Sequence, residues 1–201
     1  DLRVPPNTHD ISKIKKMKIK EIIEFADTNE IEYEKLDDVT LIEKCAKLIS
    51  EGSVVGWYQG KMEWGPRALG NRSILADPRR KEMKDILNEK IKHRESFRPF
   101  APSILEEYYS EYFDIDVPSP YMLMVAPVKK SDKIPAVTHV DGTGRVQTVS
   151  KNSNPLYHKL ISQFYELTGV PVIINTSMNV MGEPIVNTPE QAYQMIVKTD
   201  M

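Results

Sequence analysis

NPLYHKLISQFYELTGVPVIINTS, residues 154–177, is the stretch whose reading decides the fold. Asn154 is a good N-cap, and Pro155 supplies a preset φ where no backbone donor is needed, so a helix should start here. Leu156, Leu160, Ile161, Phe164 and Leu167 recur at helical spacing, and Gly169 is the expected terminator. Pro171 to Asn175 then reads as an apolar strand that gives way to small polar residues. A helix running directly into a buried strand is the repeating unit of an α/β domain, and ligands in such domains gather where strands end.

The same signals extend outward. Thr40 with Glu43 reads as a capping box ahead of Leu41, Ile42, Cys45, Ala46, Leu48 and Ile49, and Gly52 ends that helix. Residues 54–58 suit a strand that empties into a long loop from Gln59. Asp77 and Pro78 should open a helix with Met83, Ile86, Leu87 and Ile91 on its buried stripe. Beyond Pro99 and Pro102, residues 103–105 are a strand, 121–128 read as a strand buried on both faces, and 137–149 alternate around Asp141, Gly142, Thr143 and Gly144 like a hairpin. Thr188, Pro189 and Gln191 start the last helix. The fold class expected is α/β, a mixed sheet flanked by helices. Residues 1–40, with a lysine-rich run at 13–20 and an acidic run at 27–38, read as a polar arm or linker to another domain, and 41–201 as the folded domain. The chain opens at Asp1 and closes at Met201 inside an expected helix, so it reads as one lobe of a longer protein.

With 201 residues, 40% hydrophobic and 28% charged, the chain is an ordinary globular one. It lacks the run of about 20 apolar residues that a membrane helix requires. The single Cys45 excludes an internal disulfide and a cysteine zinc site, which fits a reducing cytoplasm, and its helical spacing places it in the core. A net charge of −2 argues against a polyanion-coated surface, yet six of the eight arginines lie between Arg67 and Arg98. Planar guanidinium forks chosen over lysines point to bound oxyanions.

Three loops carry candidate chemistry. Residues 60–79 lack the spacing of a Walker phosphate loop, but their glycines and Pro66 can hold Lys61, Arg67 and Arg72 for convergence on phosphate oxygens. In residues 92–102, Arg94 and Arg98 leave a helix end and enter a stiff aromatic and proline loop. In residues 175–184, Asn175, Ser177 and Asn179 alternate at the end of a buried strand, with Glu183 close behind. His139 beside Asp141 is a candidate base, Arg145 a further cation, and Trp64 and Phe97 candidate stacking surfaces. No nucleophile elbow and no metal-binding histidine pair is present, and the four histidines are scattered.

Within these loops the runs Lys61 to Arg79, Arg94 to Pro102 and Asn175 to Pro184, in this order, resemble the signature stretches of the carboxy-terminal domain of the O-carbamoyltransferases of antibiotic and nodulation-factor pathways. The resemblance covers residues 40–201, and the 176–184 tail is also similar to a loop of YrdC-like enzymes that make threonylcarbamoyl adenylate. It implies a YrdC-like fold and a two-stage activation: carbamoyl phosphate yields carbamate, which attacks the α-phosphate of ATP to give carbamoyl adenylate and pyrophosphate. It further implies transfer to a hydroxyl by a separate amino-terminal Kae1-like domain. Lys61, Arg67 and Arg72 are then the charge-neutralising set. Arg94 and Arg98 clamp phosphate or carbamate, and Asn175, Ser177, Asn179, Glu183, His139 and Arg145 bind substrate or nucleotide. ATP is expected as its magnesium complex, with no protein-bound metal, and neither membrane nor nucleic acid is expected as a partner. The alternatives are a free-standing YrdC-like synthase, which residues 65–73 disfavour, and an RNA-binding module, against which the basic residues form no even stripe with interleaved aromatics.

Overall fold

The helix at 154–169 forms as its end signals require. Asn154 accepts from the Tyr157 amide, Pro155 sits in the first turn, and Gly169 closes the helix at φ +71°. The computed structural model describes residues 19–28, 30–199 and 201. They contain six α-helices, α1 (Ile19–Thr28), α2 (Asp38–Ser50), α3 (Met83–Ile86), α4 (Tyr109–Tyr112), α5 (Pro155–Thr168) and α6 (Pro189–Lys198), and one six-stranded sheet. α1 belongs to a separate unit ending at Glu34; all other elements belong to the unit Lys35–Met201. Residues 1–18, which include most of the lysine-rich run, lie outside the described residues.

The strands are β1 (Val55–Tyr58), β2 (Arg72–Ala76), β3 (Ala101–Leu105), β4 (Met124–Pro127), β5 (Thr143–Val149) and β6 (Val172–Ser177), ordered β1-β2-β6-β3-β5-β4. Only β3 and β5 run parallel. The expected mixed α/β sheet is therefore present. Its central strands β2 and β3 are buried at every position, and α2 and α5 pack on each other and against the sheet. Ile74, Ile104, Leu160, Phe164 and Ile174 are fully enclosed in one core. Burying a side chain of this size contributes about 1.5–3 kcal/mol, so this seam supplies the main drive to fold.

Several local expectations need correction. Residues 60–79 are not one loop: β2 rises from its middle and pairs with both β1 and β6. α2 starts at Asp38, because the Asp37 carboxylate, not Thr40, caps it by accepting from the Thr40 amide at 2.8 Å. Asp77 caps no helix. Its buried carboxylate is gripped by Arg79, at 2.7 Å through Nη2, and Arg79 also donates to the Ser50 carbonyl at the end of α2. The strand at 121–128 shrinks to β4, which is largely exposed because it is the last strand of the sheet. The hairpin at 137–149 is a tight turn: His139 donates its amide to the Thr143 carbonyl at 2.7 Å, and β5 pairs instead with β3 and β4. α6 ends at Lys198, so Met201 lies beyond the helix. Cys45 is partly buried and packs against the core.

Candidate functional site

The helical turn after α3 widens into a π-helix over residues 87–92, closed by the His93 amide reaching the Asn88 carbonyl five residues back. His93 ends it in the left-handed conformation, φ 48°. This slip turns Lys92 inward, leaving it 3% exposed. Its three N–H groups meet three acceptors at 2.7 Å: the Ser177 carbonyl, the Asn179 carbonyl and Asn179 Oδ1. No carboxylate is among them. Burial, reinforced by the charge of Arg94, pulls the Lys92 ammonium down to about 7. Sequence reasoning missed Lys92, since a lysine next to a helical stripe reads as solvated; the five-residue step from Leu87 is the signal that would have found it.

Asn88, also in the π-helix and fully buried, organises the loop that follows. Its Oδ1 accepts from Arg94 Nε at 2.7 Å, and its Nδ2 donates to the carbonyls of Ser96 and Arg98. Arg94 also lies over the Phe100 ring at 4.8 Å. Across from it, Arg145 rises from β5, and Arg67 comes from the loop after β1. Two adjoining cavities, of about 100 and about 330 Å³, share Arg67, Arg94 and Arg145 in their walls. Asn175 and Ser177 on β6 line the smaller cavity, while Arg98 and His139 line the larger. Burial lowers the Arg94 guanidinium, and Arg98 and Arg145 add to the effect. Arg145 is lowered by burial and then by Arg67, and its Nε is buried without a partner. The nearest relief is Glu95, which pairs with Arg98 at 2.9 Å with both side chains about half exposed. Cations that share one set of cavity walls with no carboxylate among the lining residues could accept an anion.

His139 makes its contribution through the turn. The Thr143 hydroxyl gives its one proton to Asp141 at 2.7 Å, so the 3.2 Å contact between Thr143 Oγ1 and His139 Nδ1 has the imidazole as donor. Nε2 is left as the acceptor. Burial lowers the His139 pKa, and although Asp141 opposes this, Arg145 supports it.

Seven of the anticipated residues thus come together: Arg67, Arg94, Arg98, His139, Arg145, Asn175 and Ser177. Arg72 does not join them. It is 3% exposed, stacks on Tyr58 at 3.6 Å, and donates to the carbonyls of Gln59, Asn71 and Gly60 at 2.7, 2.9 and 3.3 Å. Its charge is used to close the 59–71 loop, because β2, unseen in the sequence, buries it. Lys61 is exposed and lines neither cavity. Asn179 lies past the end of β6, and its amide is occupied by Lys92, Ser177 Oγ and the Glu183 carbonyl. Glu183 lines a different cavity, beside α6. Trp64 and Phe97 are 85% and 74% exposed. Among the described residues no cluster of three His, Cys, Asp or Glu side chains could hold a metal ion, and no helix is long and apolar enough to cross a membrane.

A family model, carbamoyltransferase C-terminus, matches residues 46–201. The nodulation protein NolNO of Sinorhizobium fredii is 49% identical, the match covering 85% of this chain and 26% of that protein. The 3'-hydroxymethylcephem-O-carbamoyltransferase of Amycolatopsis lactamdurans is 48% identical, over 69% of this chain and 26% of that enzyme. The chain spans about a third or less of the length of the curated relatives it matches. Among solved structures, P. abyssi Sua5 complexed with L-threonine aligns at TM-score 0.58 with 18% identity, covering 80% of this chain and 45% of Sua5. Full-length HypF in a phosphate- and nucleotide-bound form aligns at TM-score 0.56 with 19% identity, covering 84% of this chain and 21% of HypF. The expected YrdC-like fold is borne out by these likenesses, which concern the fold alone.

Proposed function

The chain belongs to the carbamoyltransferase C-terminus family, and from that premise we propose that its arginine-walled cavities bind carbamoyl phosphate and ATP and form carbamoyl adenylate. The observation that carries the reading is the convergence of Arg67, Arg94 and Arg145, from three separate segments, on one basin whose wall residues include no carboxylate. A phosphate dianion satisfies these forks, and it offsets the repulsion from neighbouring arginines that adds to burial in lowering Arg94 and Arg145.

In this reading water opens carbamoyl phosphate to carbamate and inorganic phosphate, with His139 Nε2 as acceptor for the water's proton. A carbamate oxygen then attacks the α-phosphorus of ATP, the bond to the β-phosphate oxygen breaks, and pyrophosphate leaves. No protein nucleophile is needed; catalysis rests on positioning and on neutralising charge at the phosphate oxygens. ATP would arrive as its magnesium complex, the ion adding neutralisation there. Lys92 ties the end of β6 to the π-helix, holding Ser177 and Arg94 at a fixed separation. Passage of the carbamoyl group to a hydroxyl acceptor falls to a Kae1-like domain in the remainder of a longer protein, in line with relatives several times the length of the match.

The test is a calorimetric titration with inorganic phosphate. Arg145→Met should weaken binding about tenfold or more, since a charge-assisted bond contributes roughly 1.5–3 kcal/mol. Unchanged affinity in that variant would remove the basin from the account.

A further inference from the structure

The floor of the smaller cavity holds a buried amide network whose orientation is fixed by its own chemistry. Gln147 on β5 is 3% exposed, and one end of its amide lies 2.8 Å from the Leu69 carbonyl, so that end must be Nε2. Its other end is therefore Oε1, which accepts from Ser103 Oγ at 2.6 Å. The Asn175 atom 2.8 Å from Gln147 Oε1 must then be a nitrogen, and the same nitrogen donates to the Ala68 carbonyl at 3.1 Å. Both protons of Asn175 Nδ2 are thus spent, one on Gln147 of β5 and one on the loop that carries Arg67.

Asn175 Oδ1 remains. It is buried, has no partner, and belongs to a residue that is 1% exposed and lines the cavity. A buried amide oxygen left unpaired is costly unless a ligand donor meets it. The same wall carries the guanidinium forks of Arg67, Arg94 and Arg145, which donate and cannot accept, together with Thr176 and Ser177, whose Oγ gives its proton to Asn179. The cavity therefore offers a cationic wall for an anionic group and, in Asn175 Oδ1, a buried unpaired acceptor for an N–H.

Resting on the function proposed above, we infer that Asn175 Oδ1 is the specificity determinant for the amino group of the acyl phosphate, selecting carbamoyl phosphate over acyl phosphates that carry carbon there. Acetyl phosphate is the matched probe: its methyl group replaces the amino group and donates nothing. Binding to it leaves Oδ1 unpaired and adds an apolar contact in its place.

The experiment measures the affinities of inorganic phosphate, carbamoyl phosphate and acetyl phosphate for the 201-residue chain, for Asn175→Leu and for Gln147→Met. The unmodified chain should prefer carbamoyl over acetyl phosphate by about tenfold or more, the usual effect of one buried hydrogen bond made or missed. Asn175→Leu should bring that ratio to within about twofold, because the acceptor is gone. Gln147→Met loosens the loop and should weaken all three ligands together, keeping the ratio. Equal affinity of the unmodified chain for the two acyl phosphates overturns the assignment whether or not the variants fold. So does a preference that persists in Asn175→Leu, which would assign selection elsewhere. Phosphate binding separates the layers: bound phosphate with a ratio near one sinks the Asn175 role alone, whereas no phosphate binding overturns the basin and this role together.

Discussion

Arg72→Ala should damage the fold and spare anion binding. The substitution removes donors to the carbonyls of Gln59, Asn71 and Gly60 and the cation stacked 3.6 Å above Tyr58. Bonds from a charged donor contribute about 1.5–3 kcal/mol each, and a desolvated cation over an aromatic ring about 2 kcal/mol. They do not add, because one guanidinium makes them all. Its burial also has a cost, seen in its lowered pKa and in an Nε buried without a partner. A net loss of about 3–4 kcal/mol follows, which for a domain of this size lowers the melting temperature by roughly 10 °C. Phosphate affinity, measured well below the transition, should change by less than about threefold, since the loop keeps other anchors: Glu63 Oε1 accepts from the amides of Leu69, Asn71 and Arg72, and Gln147 and Asn175 hold its last carbonyls. Paired thermal melts and calorimetry check this. A variant that melts normally but no longer binds phosphate would refute the structural assignment and return Arg72 to the ligand.

Two further outcomes follow from the geometry. An anion beside Arg94 offsets the repulsion that helps hold Lys92 at about 7, so its pKa must rise and binding must take up protons near pH 7.5. Sulfate, which does not titrate there, should show this as buffer-dependent binding enthalpy that disappears in Lys92→Met; proton release or no linkage contradicts it. Gly70→Ala should destabilise by roughly 2–4 kcal/mol, because Gly70 has φ +107° and an added Cβ would meet the Tyr157 ring at 2.3 Å, both backbone strain and overpacking. A melting temperature within a degree or so of the parent would show that the loop can shift.

The elements legible in the sequence are those whose ends are written in local chemistry. α5 is framed by Asn154, Pro155 and Gly169, and α6 by the reciprocal capping of Thr188 and Gln191. β2 was illegible because its first residue is an arginine, and nothing local distinguishes a buried, self-satisfied guanidinium from one awaiting phosphate. β4 misled in the opposite sense: an apolar run specifies a strand but not whether a neighbour will cover it. At the site, Arg67, Arg94 and Ser177 were found by residue type and loop position. Gln147 could not be, because its role depends on a partner 78 residues away, and Lys92 was signalled only by its five-residue step from Leu87. β2 leaves the basic loop beside β6, which leads into the Asn179 loop, while β1 enters the basic loop one strand further out. Asn179 shapes the loop's interior, and Asn175 and Ser177 line the cavity.

Mixed with magnesium, ATP and carbamoyl phosphate, the chain should release pyrophosphate only when both substrates are present, with one carbamoyl adenylate formed for each pyrophosphate, and Arg145→Met should abolish the release. Pyrophosphate appearing without carbamoyl phosphate, or phosphate and carbamate accumulating with no adenylate while both substrates are bound, would contradict the account.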